Sequence, residues 1–410
     1  MKFLFIILSS ITCVCCFSQN NTLGYFQQQA IANSPLLRDY QNQARANYYD
    51  SLLVRAANRP QVGFTSNNTY APVIGGFGYD GAITNNQNIN ALVGVNKLLL
   101  SKGNLDAQTR VYQLQALATQ NLSKVTEQDL KRTVAIQFVT VYGEMLQHNF
   151  NQEVYALLQR EDTILKKMTQ SNVYKQRDYL LFLVTLKQQE LTLKQSDIQY
   201  RYDFGTLNYL AGIYDTTVVA LQDPALQVPR IPDIASSIFF EKYRIDSLSF
   251  VNSKLVLDYT YKPKVNLLAD GGYLSSLYNT PVKNFGVSFG VGIAFPIYDG
   301  HQKRLQYSKI DLNENTREQN KRFFTSQYYQ QIAQLNKQLI AIDGQIAQIN
   351  DQIKYSQSLI QVDERLMQTG ELTIAEFVLS LNSYLTAKNL LTQNTITRLQ
   401  VLNQLEYWNR

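Results

Sequence analysis

The stretch Phe285-Gly286-Val287-Ser288-Phe289-Gly290-Val291-Gly292-Ile293-Ala294-Phe295 decides the fold. Its bulky apolar residues, Phe285, Val287, Phe289, Val291, Ile293 and Phe295, alternate with Gly286, Ser288, Gly290, Gly292 and Ala294, so a period of two sets them on opposite faces of a strand. A strand of a soluble sheet places polar or charged residues opposite its core face. Here a large apolar face opposes tiny side chains, the pattern of a strand with lipid on one side and a lumen on the other. A weaker copy sets Ile89, Ala91, Val93 and Val95 opposite Asn88, Asn90, Gly94 and Asn96. Each of these segments has a preceding partner, so strands are predicted over about 61–70, 87–97, 264–273 and 285–296. The stretches Ala71 to Asn86 and Ser275 to Asn284, rich in Gly, Asn, Pro and Tyr, read as exposed loops.

Outward from the strands, proline placement marks the helices, because an interior Pro loses a backbone donor and costs a helix about 3 kcal/mol. None of the nine prolines falls between Val73 and Asp223 or between Ile297 and Arg410. Gly is scarce there as well: Gly143 alone between Asn104 and Phe204, Gly344 alone between His301 and Thr369. Ile332, Leu335, Leu339, Ile342, Ile346, Ile349 and Ile353 alternate spacings of three and four, the narrow seam of a coiled coil, and Ile374, Phe377, Leu381 and Tyr384 continue the rhythm. A helix from about Gln302 to Met367 would be on the order of 100 Å long, so it must project beyond any globular domain.

The chain has 410 residues, 45% hydrophobic and 17% charged, with a formal net charge of +6. The surplus is mild and no run of five or six Lys/Arg occurs, which argues against a nucleic-acid surface. At the start, Lys2 precedes an apolar run from Phe3 to Phe17, shorter than the roughly 20 residues of a membrane-crossing helix. Residues 1–18 therefore read as a signal peptide, cleaved after Ser18. Cys13, Cys15 and Cys16 all lie inside it, leaving the mature chain no thiol; a lipid-anchored Cys is the competing reading, against which Thr12, Val14 and Cys15 stand, since none is the usual small residue.

These features occur twice. Arg59-Pro60-Gln61-Val62 resembles Lys262-Pro263-Lys264-Val265 at an offset of 203, and Val93 and Val95 pair with Val291 and Ile293 at an offset of 198. The offset of 198 also carries Asn172 onto Gly370 and Asp178 onto Glu376, where the heptads of each helical tract lose phase. The expected organisation is repeat 1 over 19–207, with a helical hairpin over about 104–205 reversing near 172; a linker over 208–236 holding Pro224, Pro229 and Pro232; and repeat 2 over 237–410, with a hairpin over about 302–408 reversing near 370. Four strands cannot close a barrel, and open edges in lipid leave backbone groups unpaired at several kcal/mol each. Three copies give twelve strands and an aqueous lumen; two give eight, which side chains tend to fill. The predicted fold class is thus an α+β membrane protein: long coiled-coil helical hairpins, four transmembrane strands per chain, and a trimeric 12-stranded barrel continued by a tube of helices.

At this point the chain resembles the TolC-type outer-membrane efflux proteins over nearly the whole mature sequence. The segments that carry the resemblance are Phe295 to Gly300 (FPIYDG), similar to the family's aromatic-Asp-Gly turn, and Arg365 to Lys388 (RLMQTGELTIAEFVLSLNSYLTAK), similar to its helix-reversal signature. The first-half counterparts, Leu98 to Gly103 and Asn172 to Phe182, are more degenerate. The resemblance implies a homotrimeric channel in the outer membrane of a Gram-negative bacterium with its helical tunnel in the periplasm. There it would dock with a periplasmic adaptor and an inner-membrane transporter, as the exit duct of a tripartite efflux pump or a type I secretion system, with 208–236 as an equatorial linker.

The resemblance also implies a periplasmic mouth at the reversals, with Glu376, Asp178, Gly370 and Asn172 as the tip residues. A threefold Glu376 ring would attract cations; as a plain first-turn acid, Glu376 would instead answer the helix dipole. Gly370 equally suits a helix end of positive φ. Leu379, Met367 and Leu372 depart from the family's second tip acid, aromatic and basic positions, so its latch does not transfer whole. His148 and His301 stand 153 positions apart with no Cys or acidic cluster at ligand spacing, which argues against a metal. Gly75 to Gly81 (GGFGYDG) lacks a Lys-Ser/Thr ending and reads as a hairpin tip rather than a phosphate loop. Tyr70, Phe77, Tyr79, Tyr273 and Tyr278 gather at strand ends, as in an interfacial belt or in ordinary loop packing. No catalytic constellation and no cofactor are expected. The rival reading is a periplasmic coiled-coil adaptor or scaffold without a pore, which needs no lipid-facing strands.

Overall fold

The computed structural model describes residues 21–80, 87–230, 233–276 and 281–409. The expected signal segment, Gly81, Pro232 and Tyr278 lie outside them. The elements are α1 (Leu23–Asn33), α2 (Pro35–Ala57), β1 (Gln61–Tyr70), β2 (Gln87–Leu99), α3 (Lys102–Gln170), α4 (Gln176–Ala211), α5 (Ile238–Thr260), β3 (Lys264–Ser275), β4 (Phe285–Ala294), α6 (Gln302–Thr369) and α7 (Ile374–Tyr407), with short 3₁₀ turns at Ile234–Ser236 and Pro281–Lys283. They form two compact units, one of residues 38–124 and 234–326 and the other of the remaining chain.

The first unit holds a four-stranded antiparallel sheet in the order β1-β2-β3-β4. Directly paired residues share a face, so the register carries the two faces of β4 across all four strands, with the alternation strict in β4 and looser in the others. Val62, Phe64 and Tyr70 of β1, Ile89, Ala91, Val93 and Val95 of β2, Val265, Leu267, Ala269 and Tyr273 of β3, and Phe285, Val287, Phe289, Val291 and Ile293 of β4 share one face, which is wholly apolar along β4 and is interrupted elsewhere by Ser66, Asn68, Gln87, Lys97 and Gly271. The other carries Gly63, Thr65 and Asn67, then Asn88, Asn90, Gly94 and Asn96, then Asn266, Asp270 and Gly272, then Gly286, Ser288, Gly290 and Gly292, with Leu92, Leu98, Leu268 and Leu274 among them on the two central strands. On this second face the Ser288 hydroxyl donates to Asp270 at 2.7 Å. The apolar side chains are open: Phe285, Val287, Phe289, Val291 and Ile293 are all at least 66% exposed. Phe295 is a correction. The ladder ends with Ala294 opposite Lys264, so Phe295 follows the strand, where Pro296, which has no N–H, begins the turn into α6.

Pro60 and Pro263 stand before β1 and β3 and prevent α2 and α5 from continuing. The return from β4 to α6 is made by Asp299 of the FPIYDG segment, whose carboxylate accepts the backbone N–H groups of His301 at 2.9 Å and Lys303 at 2.8 Å, satisfying orphan donors at the helix start. At the matching position, Ser101 accepts the N–H of Asn104 at 3.3 Å for α3. Gly75 and Gly76, both at positive φ, turn the chain between Ile74 and Phe77, which exchange two backbone hydrogen bonds, the geometry of a two-residue hairpin turn.

In the second unit α1 lays Leu23, Phe26 and Ala30 against Val134, Ala135 and Phe138 of α3 and Phe204, Leu207 and Ala211 of α4. Helix α4 runs past the expected hairpin end to Ala211 and stops at Gly212, φ 66°. The linker therefore begins later than 208, and it is anchored: Leu221 enters this core and Tyr200 donates to the Val219 carbonyl at 3.0 Å. The heptad seam is buried at Leu335, Leu339, Ile342, Ile349 and Ile353 of α6, with Ala387 of α7 packed on the last two. Gly143 lets α3 approach α7, because a Cβ there would lie 2.2 Å from Ile396 Cδ1. No helix among the described residues is long and apolar enough to cross a membrane.

Candidate functional site: the two helix-reversal tips

Both tips are built by the same backbone device. At the end of α3 the Val173 N–H reaches the Met168 carbonyl at 2.9 Å and the Asn172 N–H reaches Thr169 at 3.1 Å; at the end of α6 the Glu371 N–H reaches Leu366 at 3.0 Å and the Gly370 N–H reaches Met367 at 3.3 Å. This is the Schellman closure, with Asn172 (φ 59°) and Gly370 (φ 78°) in the left-handed region that it requires. Asn is among the few residues with a side chain that occupy that region routinely, so the two unlike residues do one job at corresponding positions.

The following helix starts differ. Thr373 caps α7 with a full capping box: its hydroxyl accepts the Glu376 N–H at 3.3 Å, and the Glu376 carboxylate accepts the Thr373 N–H at 2.9 Å. The Thr373 hydroxyl also donates to the Glu376 carboxylate at 2.7 Å, and this bond first, then the one from the Thr373 N–H, holds the Glu376 carboxyl below the usual carboxylate range. Lys175 occupies the equivalent cap of α4 without a side-chain bond. Asp178 stands half-buried in the first turn of α4 and Glu376 exposed in the first turn of α7, so the two acids open separate helices at corresponding places.

The tips also hold each other. Tyr174 places its hydroxyl 2.8 Å from both the Met367 and the Leu372 carbonyl oxygens, so its single proton serves either. Val173 covers Gly370, where a Cβ would come within 2.8 Å of Val173 Cγ1. Beneath them lies a common core of Leu158, Leu165, Phe182 and Leu186 from the first hairpin with Ile360, Met367, Ile374, Phe377 and Leu381 from the second. Tyr179 of α4 donates to Asp162 of α3 at 3.0 Å. Within this region Glu161 is 4% exposed, and its Oε2 is enclosed without a hydrogen-bond partner. Burial first, then the nearby Glu364 carboxylate, raise its pKa to about 7 against the opposing Arg160 charge.

Asn172 and Gly370 are thus brought together through the Val173 contact, whereas Tyr174 and Glu161 are tip residues that sequence reasoning missed. Glu161 carried a signal: it falls in the heptad phase of Val154, Leu158 and Leu165, where an apolar residue is due. Of the histidines, His148 stacks on Tyr200 and His301 lies edge-on to Tyr298.

No family model matches the sequence, and no curated protein does. The fold has close counterparts among solved structures. CusC, described through its folding and transmembrane channel formation, superposes with a TM-score of 0.79 at 13% identity over 94% of this chain and 92% of its own. The outer-membrane protein VceC of Vibrio cholerae gives 0.75 at 12% identity over 94% and 96%. The outer-membrane channel MtrE of Neisseria gonorrhoeae, in an open state, gives 0.72 at 14% over 94% and 88%. The chain, through its duplicated hairpins and four-stranded sheet, has the fold of these outer-membrane channels.

Proposed function

We propose that the protein is a homotrimeric channel in the outer membrane of a Gram-negative bacterium, the passive, non-enzymatic exit duct of a tripartite efflux pump or type I secretion system. The observation that carries this reading is the exposed apolar face of the sheet, unbroken along β4 and continued by Val62, Phe64, Val93, Val95 and Leu267, on a sheet bounded by two edges, β1 and β4, that each pair on one side only. In lipid such edges are tolerated only when a barrel closes, and three copies make a twelve-stranded one with a water-filled lumen. The polar second face, with Asn90, Asn96, Asn266 and Asp270, suits that lumen. The helical hairpins then extend into the periplasm, and their tips form the mouth that faces a periplasmic adaptor and an inner-membrane transporter; lipid, sister subunits and these two proteins are its partners.

The test is reconstitution of the purified full chain into planar bilayers. Discrete conductance steps from a trimeric species are expected. Release of the protein from envelopes by buffer or mild salt, without detergent, would instead favour a poreless periplasmic scaffold. Replacing Glu376 by Gln is expected to lower cation preference if the three carboxylates line the mouth; unchanged ion selectivity assigns Glu376 to the capping box alone.

A further inference from the structure

The offset of 203 lays α2, Pro35–Ala57, on Ile238–Thr260, which is α5, and the offset of 198 lays α3 along α6. The groove between the two helices of each pair can therefore be compared position by position. In the second repeat, acids of α6 close it. Lys254 pairs with Asp311 at 2.5 Å, the Ser247 hydroxyl donates to Glu314 at 3.3 Å, and Glu318 holds Arg322. In the first repeat the same positions hold Ser51 and Gln113, Ala44 and Ala116, Gln120 and Lys124. All three acids are gone, and the groove between α2 and α3 stands open as a cavity of about 790 Å³.

Its walls combine two kinds of surface. Tyr40, Tyr48 and Leu117 offer apolar area beside the two alanines, while Arg45, Arg110 and Lys124 bring three cations, and no acid lines the cavity. Among the described residues none of these three cations forms an ion pair. Asp106, one turn before Arg110, lines the neighbouring cleft instead. Lys124 is within electrostatic reach of Glu241, which Arg244 already holds. Like charges gathered on a concave, partly apolar surface focus a positive potential there.

We propose that this groove binds a small amphipathic organic anion, with its aromatic or aliphatic body between Tyr40, Tyr48 and Leu117 and its oxyanion group against Arg45, Arg110 and Lys124. The volume suits such a molecule, since small-ligand pockets run to about 300–1,000 Å³. Charge sets its sign: the second repeat supplies its own carboxylates at 311, 314 and 318, the first supplies none at 113, 116 and 120, and the balancing charge is the ligand's. Guanidinium groups give paired, charge-assisted hydrogen bonds to carboxylate or phosphate oxygens, and tyrosine rings present flat apolar faces to a ligand ring. The whole lining lies within one compact unit of a single chain, so the inference stands apart from the channel reading.

Equilibrium dialysis tests it, with the full-length protein in phosphatidylcholine nanodiscs free of detergent and empty nanodiscs as the blank. The probe is naphthalene-2-sulfonate, and uncharged 2-naphthol is its control. Saturable binding of the sulfonate at one site per chain is expected, with 2-naphthol bound far more weakly. Arg110→Gln combined with Lys124→Gln should weaken the sulfonate about tenfold or more. Ala116→Glu, which gives the first groove the acid of the second, should abolish binding. Lys187→Gln removes an exposed cation of α4 and should change nothing; an equal loss there would reduce the effect to diffuse charge and overturn the site. Absence of saturable binding overturns the proposal, as does binding that survives both groove variants. Equal affinity for 2-naphthol overturns the anionic class. The groove variants change opposite features of the cavity, its cations and its missing acid, so either decides the question where the other fails to fold.

Discussion

Glu161, between Leu158 and Leu165 on the buried side of α3, has one carboxylate oxygen unpartnered, in a seam whose heptad would accept leucine. Its pKa of about 7 against an ordinary 4.5 means that the packed tip binds more protons than an opened one between those values. The contribution to stability is therefore full below about pH 4.5 and is lost as pH rises to about 7. Amide exchange near Glu161, corrected for its intrinsic pH dependence, is expected to show less protection at pH 8 than at pH 5; Glu161→Gln should flatten the profile. An unchanged slope in that variant would remove Glu161 as its source. At the second tip, Thr373→Ala deletes the capping hydroxyl and is expected to destabilise the start of α7 by about 0.5–2 kcal/mol, read as faster exchange in its first turn. The first tip has no capping hydroxyl to lose, because Lys175 stands there.

Among the elements, β4 carries the barrel argument. Phe289 lies mid-strand opposite Ala269 and is 84% exposed. A charge at that depth on a lipid face costs roughly 2 to 4 kcal/mol, so Phe289→Arg is expected to reduce heat-resistant trimer in outer membranes; wild-type amounts would contradict the lipid assignment. Ser288→Asn, one residue away on the lumenal face, should be tolerated. In the helical layer, Gly143→Leu would drive a side chain into Ile396. Overpacking of this kind typically costs about 1–3 kcal/mol, and a lowered thermal midpoint with retained helicity is the expected result.

At the scale of the molecule, duplication explains why unlike sequences build like structures. Asn172 and Gly370 share a backbone conformation and Ser101 and Asp299 share a capping role, although none of these pairs matches in residue type. Helices α3 and α6 run 69 and 68 residues, and α2 and α5 are both 23, so each repeat delivers matching surfaces to its neighbours.

The alternation in β4, the proline-free tracts and the paired offsets were enough by themselves to determine the strands, the long helices and their repetition, because each follows from local periodicity and from which residues a helix tolerates. Phe295 marked the limit: periodicity continued one residue past the ladder, since the end of a strand is set by its partner, here Lys264 opposite Ala294. Tyr174 bridging to Met367 and Leu372 and Val173 closing over Gly370 joined residues about 200 positions apart, and burial left one Glu161 oxygen without a hydrogen-bond partner. Only the tertiary structure decided these, because burial and hydrogen-bond satisfaction depend on what the fold brings alongside, and no spacing along the chain encodes that.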